Sequence, residues 1–179
     1  MQIKSFPVML LALCAGLAAH SAVAAPAPPA RQAEVAARGA EVMPFELAAT
    51  SHLFTKNRNG GLQQVLVRNP KDKEQLRLVR SHLREIAGRF QAGDFSAPAR
   101  IHGEAMPGLG QLKQAKPGEI TVHYRELHNG AQIRYATSNP ALVPVLHRWF
   151  DAQLSDHGAD ASEGHAHHQG HRSHQANPQ

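Results

Sequence analysis

The chain has 179 residues and a formal net charge of +5, with 42% hydrophobic and only 5% aromatic residues. This length suits one domain with tails rather than several domains. A modest positive charge with so few aromatic residues indicates a basic, solvated surface, and nucleic acid is not an expected partner.

The N-terminus has the three parts of a secretory signal. Lys4 supplies the positive charge, Val8–Ala19 is the apolar segment, and Ala22–Ala24 has the small residues of a cleavage site. The apolar segment is shorter than the roughly 20 residues that cross a bilayer, so no membrane span is expected. We therefore predict a signal peptide over residues 1–24 and a periplasmic or secreted protein. The single cysteine, Cys14, lies inside this signal, so the mature chain has neither a disulfide nor a thiolate ligand.

The rest of the chain divides into three parts by composition. Residues 25–42 are rich in Pro and Ala, and we predict a flexible leader. Residues 43–160 carry the patterned segments of an α+β domain. Residues 161–179 are predicted to be a disordered, histidine-rich tail, because their composition cannot form a packed core.

The first half of the domain predicts a hairpin followed by a helix. Strands over Phe45–Lys56 and Leu62–Arg68 flank an Asn-Gly turn, which is the strongest short-range signal for a hairpin. Asp72 can cap a helix that continues to about Phe90. Its apolar residues recur every three or four positions and predict one buried face: Leu76, Val79, Leu83, Ile86 and Phe90.

The second half repeats this order. Strands over Glu119–Leu127 and Ala131–Thr137 flank a second Asn-Gly turn, and a helix to about Asp156 begins with Pro144 in its first turn. We predict two ββα units that form a four-stranded antiparallel sheet, with two helices on one face and a long loop, Gly93–Gly110, between the units. Long loops inside compact domains are usually functional.

Histidines are the residues with the clearest chemistry. The tail places five of them among Gly, Ser and Gln, and neutral imidazoles bind copper, zinc and nickel. An alternative is a solubilising or pH-sensitive tail without a metal role. The tail histidines are His165, His167, His168, His171 and His174.

A second candidate site lies in the folded domain. His102 and Met106 are four residues apart in the long loop, and an imidazole with a thioether suits Cu(I) where no thiolate is present. His82, His147 and His157 are further candidate ligands, with His147–Asp151 as an imidazole–carboxylate couple. Each of these residues also has an ordinary explanation as a packed or hydrogen-bonded side chain.

The segments HLREIAGRFQAGDFSAPARIHGEAMPGL and LHRWFDAQLSDHGADA resemble an uncharacterised family of small secreted bacterial proteins, often labelled aspartate carbamoyltransferase. The resemblance covers residues 44–161. Carbamoyltransferases resemble two-domain cytosolic α/β enzymes about twice this length, with a Ser-Thr-Arg-Thr phosphate loop, and this chain has neither feature. The resemblance therefore implies a domain boundary and no mechanism.

Enzyme signatures are thin, since the chain has no Gly-x-Ser-x-Gly elbow, phosphate-binding glycine loop or His-Glu-x-x-His motif. We therefore expect a non-enzymatic protein that binds a transition metal, copper first and zinc or nickel next. Its role would be buffering, delivery or resistance, with a periplasmic metal-handling protein as a possible partner. The alternatives are a module that binds a small molecule or a protein, with an incidental tail, and an unrecognised hydrolase or transferase.

Overall fold

A five-stranded mixed sheet organises the domain, and its strand order is β3-β4-β2-β1-β5. The computed structural model of the protein describes residues 25–164. The predicted signal peptide (1–24) and the five tail histidines lie outside this range. The elements are α1 (Pro29–Val42), β1 (Thr50–Asn57), β2 (Gly60–Val67), α2 (Lys73–Gln91), α3 (Ser96–His102), α4 (Leu109–Gln114), β3 (Thr121–Leu127), β4 (Gly130–Ala136), α5 (Val143–His157) and β5 (Ala161–Glu163).

The four predicted strands and two predicted helices are present. The first strand begins at Thr50 rather than Phe45, because Leu47–Ala49 form a short 3-10 helix. Asp72 caps α2, accepting a hydrogen bond from the backbone N–H of Gln75 at 3.0 Å. Pro144 lies in the first turn of α5, where a missing N–H costs nothing. The helix starts predicted from capping by Asp72 and from the position of Pro144 are therefore confirmed.

The register of the strands supports the internal repeat. Asn57 pairs with Gly60 in the first hairpin, and Leu127 pairs with Gly130 in the second. Each residue of the second pair lies 70 positions after its counterpart, and so does the start of α5, Val143, relative to the start of α2, Lys73. The two hairpins meet through the antiparallel pair β2–β4.

Both long helices pack on the same face of the sheet. The ring of Phe150, from α5, lies 5.3 Å from that of Phe54 in β1, and the ring of Phe90, from α2, lies 6.0 Å from that of Tyr135 in β4. Trp149 contacts both Phe90 and Tyr135 and joins the two helices across the core.

The prediction of a four-stranded antiparallel sheet was wrong in its details. Residues 161–163, assigned to the tail, form β5, which pairs with β1 in parallel, with His52 opposite Ala161. A three-residue strand carries too little alternation to be recognised from sequence. The folded domain therefore extends past residue 160, and β5 covers the edge of β1 that the predicted sheet left open.

The predicted flexible leader was also wrong, because most of it is helix α1. This helix packs against α3 and α5. Val35 is fully buried, and Gly39 is buried beside it. A helix with so narrow a buried face gives little apolar periodicity, although its Ala, Glu, Gln and Arg residues favour helix.

Half of the predicted loop Gly93–Gly110 is helical. It contains α3 and the start of α4. The Asp94 carboxylate accepts a hydrogen bond from the backbone N–H of Ser96 at 2.9 Å, which supports the first turn of α3. Gly103, with φ of 81°, ends α3 directly after His102. The loop therefore holds His102 at the C-terminus of a short helix.

Candidate functional site

Three of the predicted ligands, His82, His102 and His157, line one cavity between the sheet and the helices that cover it. The cavity has a volume of about 50 Å³. We call it the histidine cavity. Its polar lining comes from β1, β2, α2, α3 and α5, and consists of His52, Gln63, His82, His102, Gln153 and His157.

Apolar side chains surround these polar groups. Met43 and Phe45 approach from the segment after α1, Leu83 and Ile86 from α2, and Ile101 from α3. All five are less than 9% exposed. The polar groups therefore face a space that is largely shielded from bulk water, where unpaired nitrogen and oxygen atoms are costly.

The imidazoles of His52, His102 and His157 form the centre of the cluster. The His157 ring centroid lies 5.2 Å from that of His52 and 5.1 Å from that of His102. His82 stands further out, with its ring 5.6 Å from Phe45. His157 is thus the middle member of three adjacent imidazoles from a strand, a short helix and a long helix.

His52 reaches this position through the alternation of β1. Thr50, His52 and Phe54 all point to the helix-covered face and are buried. His52 is 3% exposed, and its Nε2 atom has no hydrogen-bond partner within residues 25–164. Because buried polar atoms are nearly always paired, this nitrogen indicates a missing partner in the cavity.

His102 is held by a carboxylate on its other side. Its Nδ1 lies 2.8 Å from Oδ2 of Asp156. Arg31 binds the same carboxylate through Nε at 3.2 Å and Nη2 at 2.9 Å, and donates to the carbonyl oxygen of His102 at 2.6 Å. Since an ionised carboxylate only accepts, Nδ1 of His102 donates, and the lone pair of the neutral ring lies on Nε2.

Burial keeps these histidines neutral. It lowers the pKa of His52 to about 4, with further lowering from the charges of His82, Arg68 and His102. It lowers the pKa of His157 to about 3, again with help from neighbouring imidazoles. Neutral imidazole is the form that binds metal ions.

The ion pair behind His102 has its own electrostatics. Burial lowers the pKa of His102 more than the hydrogen bond and charge of Asp156 raise it. For Asp156, burial alone would raise the pKa, but the hydrogen bonds from Arg31 and His102 lower it overall. The pair is therefore a neutral imidazole with an ionised carboxylate at neutral pH, as in the carboxylate–histidine pairs that orient metal ligands.

In their present orientation the side chains do not form a finished metal site. Within residues 25–164, no group of three or more His, Cys, Asp or Glu side chains is arranged to hold a metal ion. Two of the three ring spacings, those of His157 with His52 and with His102, are nevertheless compatible with one, since a tetrahedral zinc with nitrogens at about 2.1 Å puts two imidazole centroids about 5 Å apart. Rotation about the Cβ–Cγ bond re-aims ring nitrogens with little movement of the centroid.

Two predicted ligands lie elsewhere. Met106 is 5% exposed and lines a separate surface cleft, on the far side of His102 from the histidine cavity. Nε2 of His147 lies 3.0 Å from the carbonyl oxygens of both Asn57 and Gly60, so it fixes the first hairpin turn. The predicted His147–Asp151 couple was wrong, because Asp151 binds Lys56 at 2.6 Å instead.

Sequence reasoning missed His52 and Gln63 as cavity residues. The available signal was that each is a polar residue on the buried face of a strand, where an apolar residue is expected. His52 lies between Thr50 and Phe54 on β1, and Gln63 pairs with Phe54 from β2. Gln63 is held by the Tyr135 hydroxyl, which donates to Oε1 at 2.8 Å. Gln153, from the buried face of α5, also lines the cavity.

Comparisons with known proteins give no further guide. No protein-family model, no curated protein and no solved structure matches this chain. The resemblance inferred from sequence therefore stays a prediction. Among residues 25–164, no helix is both long and apolar enough to cross a membrane.

Proposed function

We propose that this is an exported protein that binds one transition-metal ion in the histidine cavity, through His52, His102 and His157. Copper, zinc and nickel are the metals that imidazole ligands favour, with copper our first expectation. The observation that carries the proposal is the buried, unpartnered Nε2 of His52 next to His157, whose ring lies at metal-compatible spacing from the rings of both His52 and His102.

The surroundings of the three rings support this assignment. Asp156 orients His102 from behind, and Arg31 fixes Asp156 in turn. Carboxylates that hold the second nitrogen of a ligating histidine typically raise metal affinity by 10–100-fold. Gln153 offers an amide group as a further contact, and the amide NH2 of Gln63, whose oxygen is bound by Tyr135, can donate to a bound water. The cavity volume of about 50 Å³ suits an ion with one water and excludes a larger ligand.

The predicted tail has a supporting role in the proposal. Its five histidines capture ions at the surface, and the folded cavity holds one ion specifically. Buffering, delivery or resistance all require such a site, and delivery adds a periplasmic metal-handling partner. Catalysis is not proposed, because the histidine cavity has no room for an organic substrate beside its imidazoles.

The test is a chelator-competition titration of Cu(I), Cu(II), Zn(II) and Ni(II) into a full-length variant whose five tail histidines are replaced by serine. One tight ion per chain is expected, with at least a 100-fold loss of affinity in His52→Gln or His157→Gln. His123→Gln, on an exposed position of β3, is the matched control and retains binding.

Two results would overturn the proposal. The first is a tail-substituted protein that binds none of the four ions, which would leave a cavity that holds only water. The second is unchanged affinity in both cavity variants. Near-ultraviolet circular dichroism of Trp149 shows whether each variant keeps its core.

A further inference from the structure

A second recessed site lies on the outer side of His102, and nothing in the metal proposal uses it. This outer cleft has a volume of about 510 Å³, within the 300–1,000 Å³ typical of small-molecule sites. It opens between the α3–α4 connection, helix α5 and the side chain of Arg31 from α1. It is about ten times larger than the histidine cavity, so it admits an organic molecule.

The walls of the outer cleft are largely apolar. Ala105, Met106 and Pro107 form one side, from the connection between α3 and α4, and Ala152 lies on α5. Met106 is buried, Ala152 is partly buried, and Pro107 is exposed at the rim. These side chains offer a small hydrophobic surface, and Met packs adaptably against ligands of varied shape.

Some charged groups of the outer cleft already form ion pairs within the protein, and one does not. Asp156 is bound by Arg31 and His102. Asp151 accepts from Lys56 at 2.6 Å. Arg148, one turn before Ala152 on α5, makes no hydrogen bond or ion pair with any side chain in the part of the chain that the structure describes. Both carboxylates therefore have partners, and one guanidinium has its donors free.

We propose that the outer cleft binds a small organic carboxylate with an apolar body, and that Arg148 holds its carboxylate. A guanidinium presents a planar fork that binds a carboxylate through two parallel hydrogen bonds. The apolar body lies against Met106, Pro107 and Ala152. A cationic ligand would meet Arg148 without a free carboxylate to balance it, so the site selects anions.

The experiment uses metal-free full-length protein in chelator, so its outcome does not depend on the metal proposal. Three probes with the same ring are compared by fluorine NMR: 4-fluorobenzoate, 4-fluorobenzyl alcohol and 4-fluorobenzylamine. We expect binding of the carboxylate, at least 10-fold weaker binding of the alcohol, and none of the amine.

Variants then locate the site. Arg148→Gln is expected to weaken 4-fluorobenzoate at least 10-fold, and Arg148→Lys to weaken it less. Ala152→Phe fills the cleft without changing its charge and is expected to abolish binding. Arg100→Gln, an exposed arginine of α3 outside the cleft, is the control and binds as the parent protein does.

The proposal fails if the three probes bind equally, since that indicates only hydrophobic contact. It also fails if Arg148→Gln and Ala152→Phe both leave the carboxylate affinity unchanged, or if no probe binds at millimolar concentration. Because Arg148 is exposed, its variants are not expected to disturb folding, and thermal unfolding of each variant verifies this.

Discussion

Asp156 and His102 form a 2.8 Å contact that joins the C-terminal part of α5 to the end of α3. The contact separates two recesses, because His102 lines both the histidine cavity and the outer cleft. Arg31 adds α1 to the same connection. One carboxylate thus ties together three helices that are far apart in the sequence.

Replacing this carboxylate should destabilise the fold. In Asp156→Asn the charge that balances Arg31 is lost in a place where the Asp156 side chain is 12% exposed. Arg31 itself is 30% exposed, so the main cost is the loss of the hydrogen bonds that Arg31 and His102 make to a charged carboxylate. We expect a loss of about 2 kcal/mol in the free energy of unfolding. Urea denaturation followed by Trp149 fluorescence measures it.

The matched control is Asp151→Asn on the same helix. Asp151 pairs with Lys56, but its side chain is 29% exposed against 12% for Asp156, and a single ion pair open to solvent contributes less than about 1 kcal/mol. Equal losses in the two variants would contradict the tie between α1, α3 and α5. An NMR titration adds a second readout, because the pKa of His102 should fall further once the Asp156 charge is gone.

Stability should also depend on pH through the buried histidines. The pKa of His52 is about 4 in the folded protein against an ordinary value of 6.5. Below about pH 6.5 the His52 side chain is protonated in the unfolded chain, but in the folded chain it stays neutral down to about pH 4. The free energy of unfolding therefore decreases as the pH is lowered through this window. For His52 alone the fall is roughly 3 kcal/mol, at about 1.4 kcal/mol per pH unit. His157, with a pKa of about 3, adds to it.

The measurement is the free energy of unfolding in chelator at half-unit steps from pH 7 to pH 4.5. His52→Gln should flatten the slope, because glutamine does not titrate. His123→Gln, exposed on β3, should leave the slope unchanged. A parent protein whose stability is constant down to pH 4.5 would show that the cavity histidines do not have lowered pKa values.

Helix α1 should behave as part of the domain. Val35 is fully buried where α1 meets its neighbours, and Val35→Ala removes two methyl groups there. At about 0.8 kcal/mol for each buried carbon, with a further cost for the cavity left behind, the expected loss is about 2 kcal/mol. Glu41→Ala, exposed near the end of the same helix, is expected to stay within about 0.5 kcal/mol. No difference between the two variants would mean that α1 is not packed as described.

The parts of the fold that could be predicted share one property, which is that their signals are local. Asn59-Gly60 and Asn129-Gly130 fix two hairpins through turn chemistry, and Asp72 fixes the start of α2 by capping. Residues 161–163 pair with β1 only because α5 brings the chain back to that edge. No property of three residues alone records such a tertiary event.

The residues of the candidate site also divide into those that local sequence signals predict and those that depend on tertiary packing. His82 and His157 were expected as ligands from residue type and their place on predicted helices, and His102 from its place beside Met106 in the predicted loop. His52 required knowing that the helices cover the face of β1 that carries Thr50, His52 and Phe54. His147 required knowing that the turn carbonyls of Asn57 and Gly60 lie within its reach. Convergence of side chains depends on tertiary packing, which spacing along one element does not contain.

Gly130 offers the sharpest test of the internal repeat. It begins β4 and lies against β2, where an added Cβ would collide with the backbone of Val65 and Leu66. Gly60, its counterpart 70 residues earlier, lies in the same way against Tyr135 and Ala136. Because backbone atoms in a paired strand cannot move aside cheaply, Gly130→Ala should force the β2–β4 pairing apart and cost at least about 2 kcal/mol.

Gly88→Ala is the control of opposite sign. Gly88 lies in the interior of α2, is exposed, and has no atom within 4 Å of an added Cβ. Alanine in a helix interior is favoured over glycine by about 0.8–1 kcal/mol, so this variant should be more stable than the parent. Urea denaturation of both variants decides the matter: a tolerated Gly130→Ala would contradict the close β2–β4 contact through which the two ββα units share one sheet.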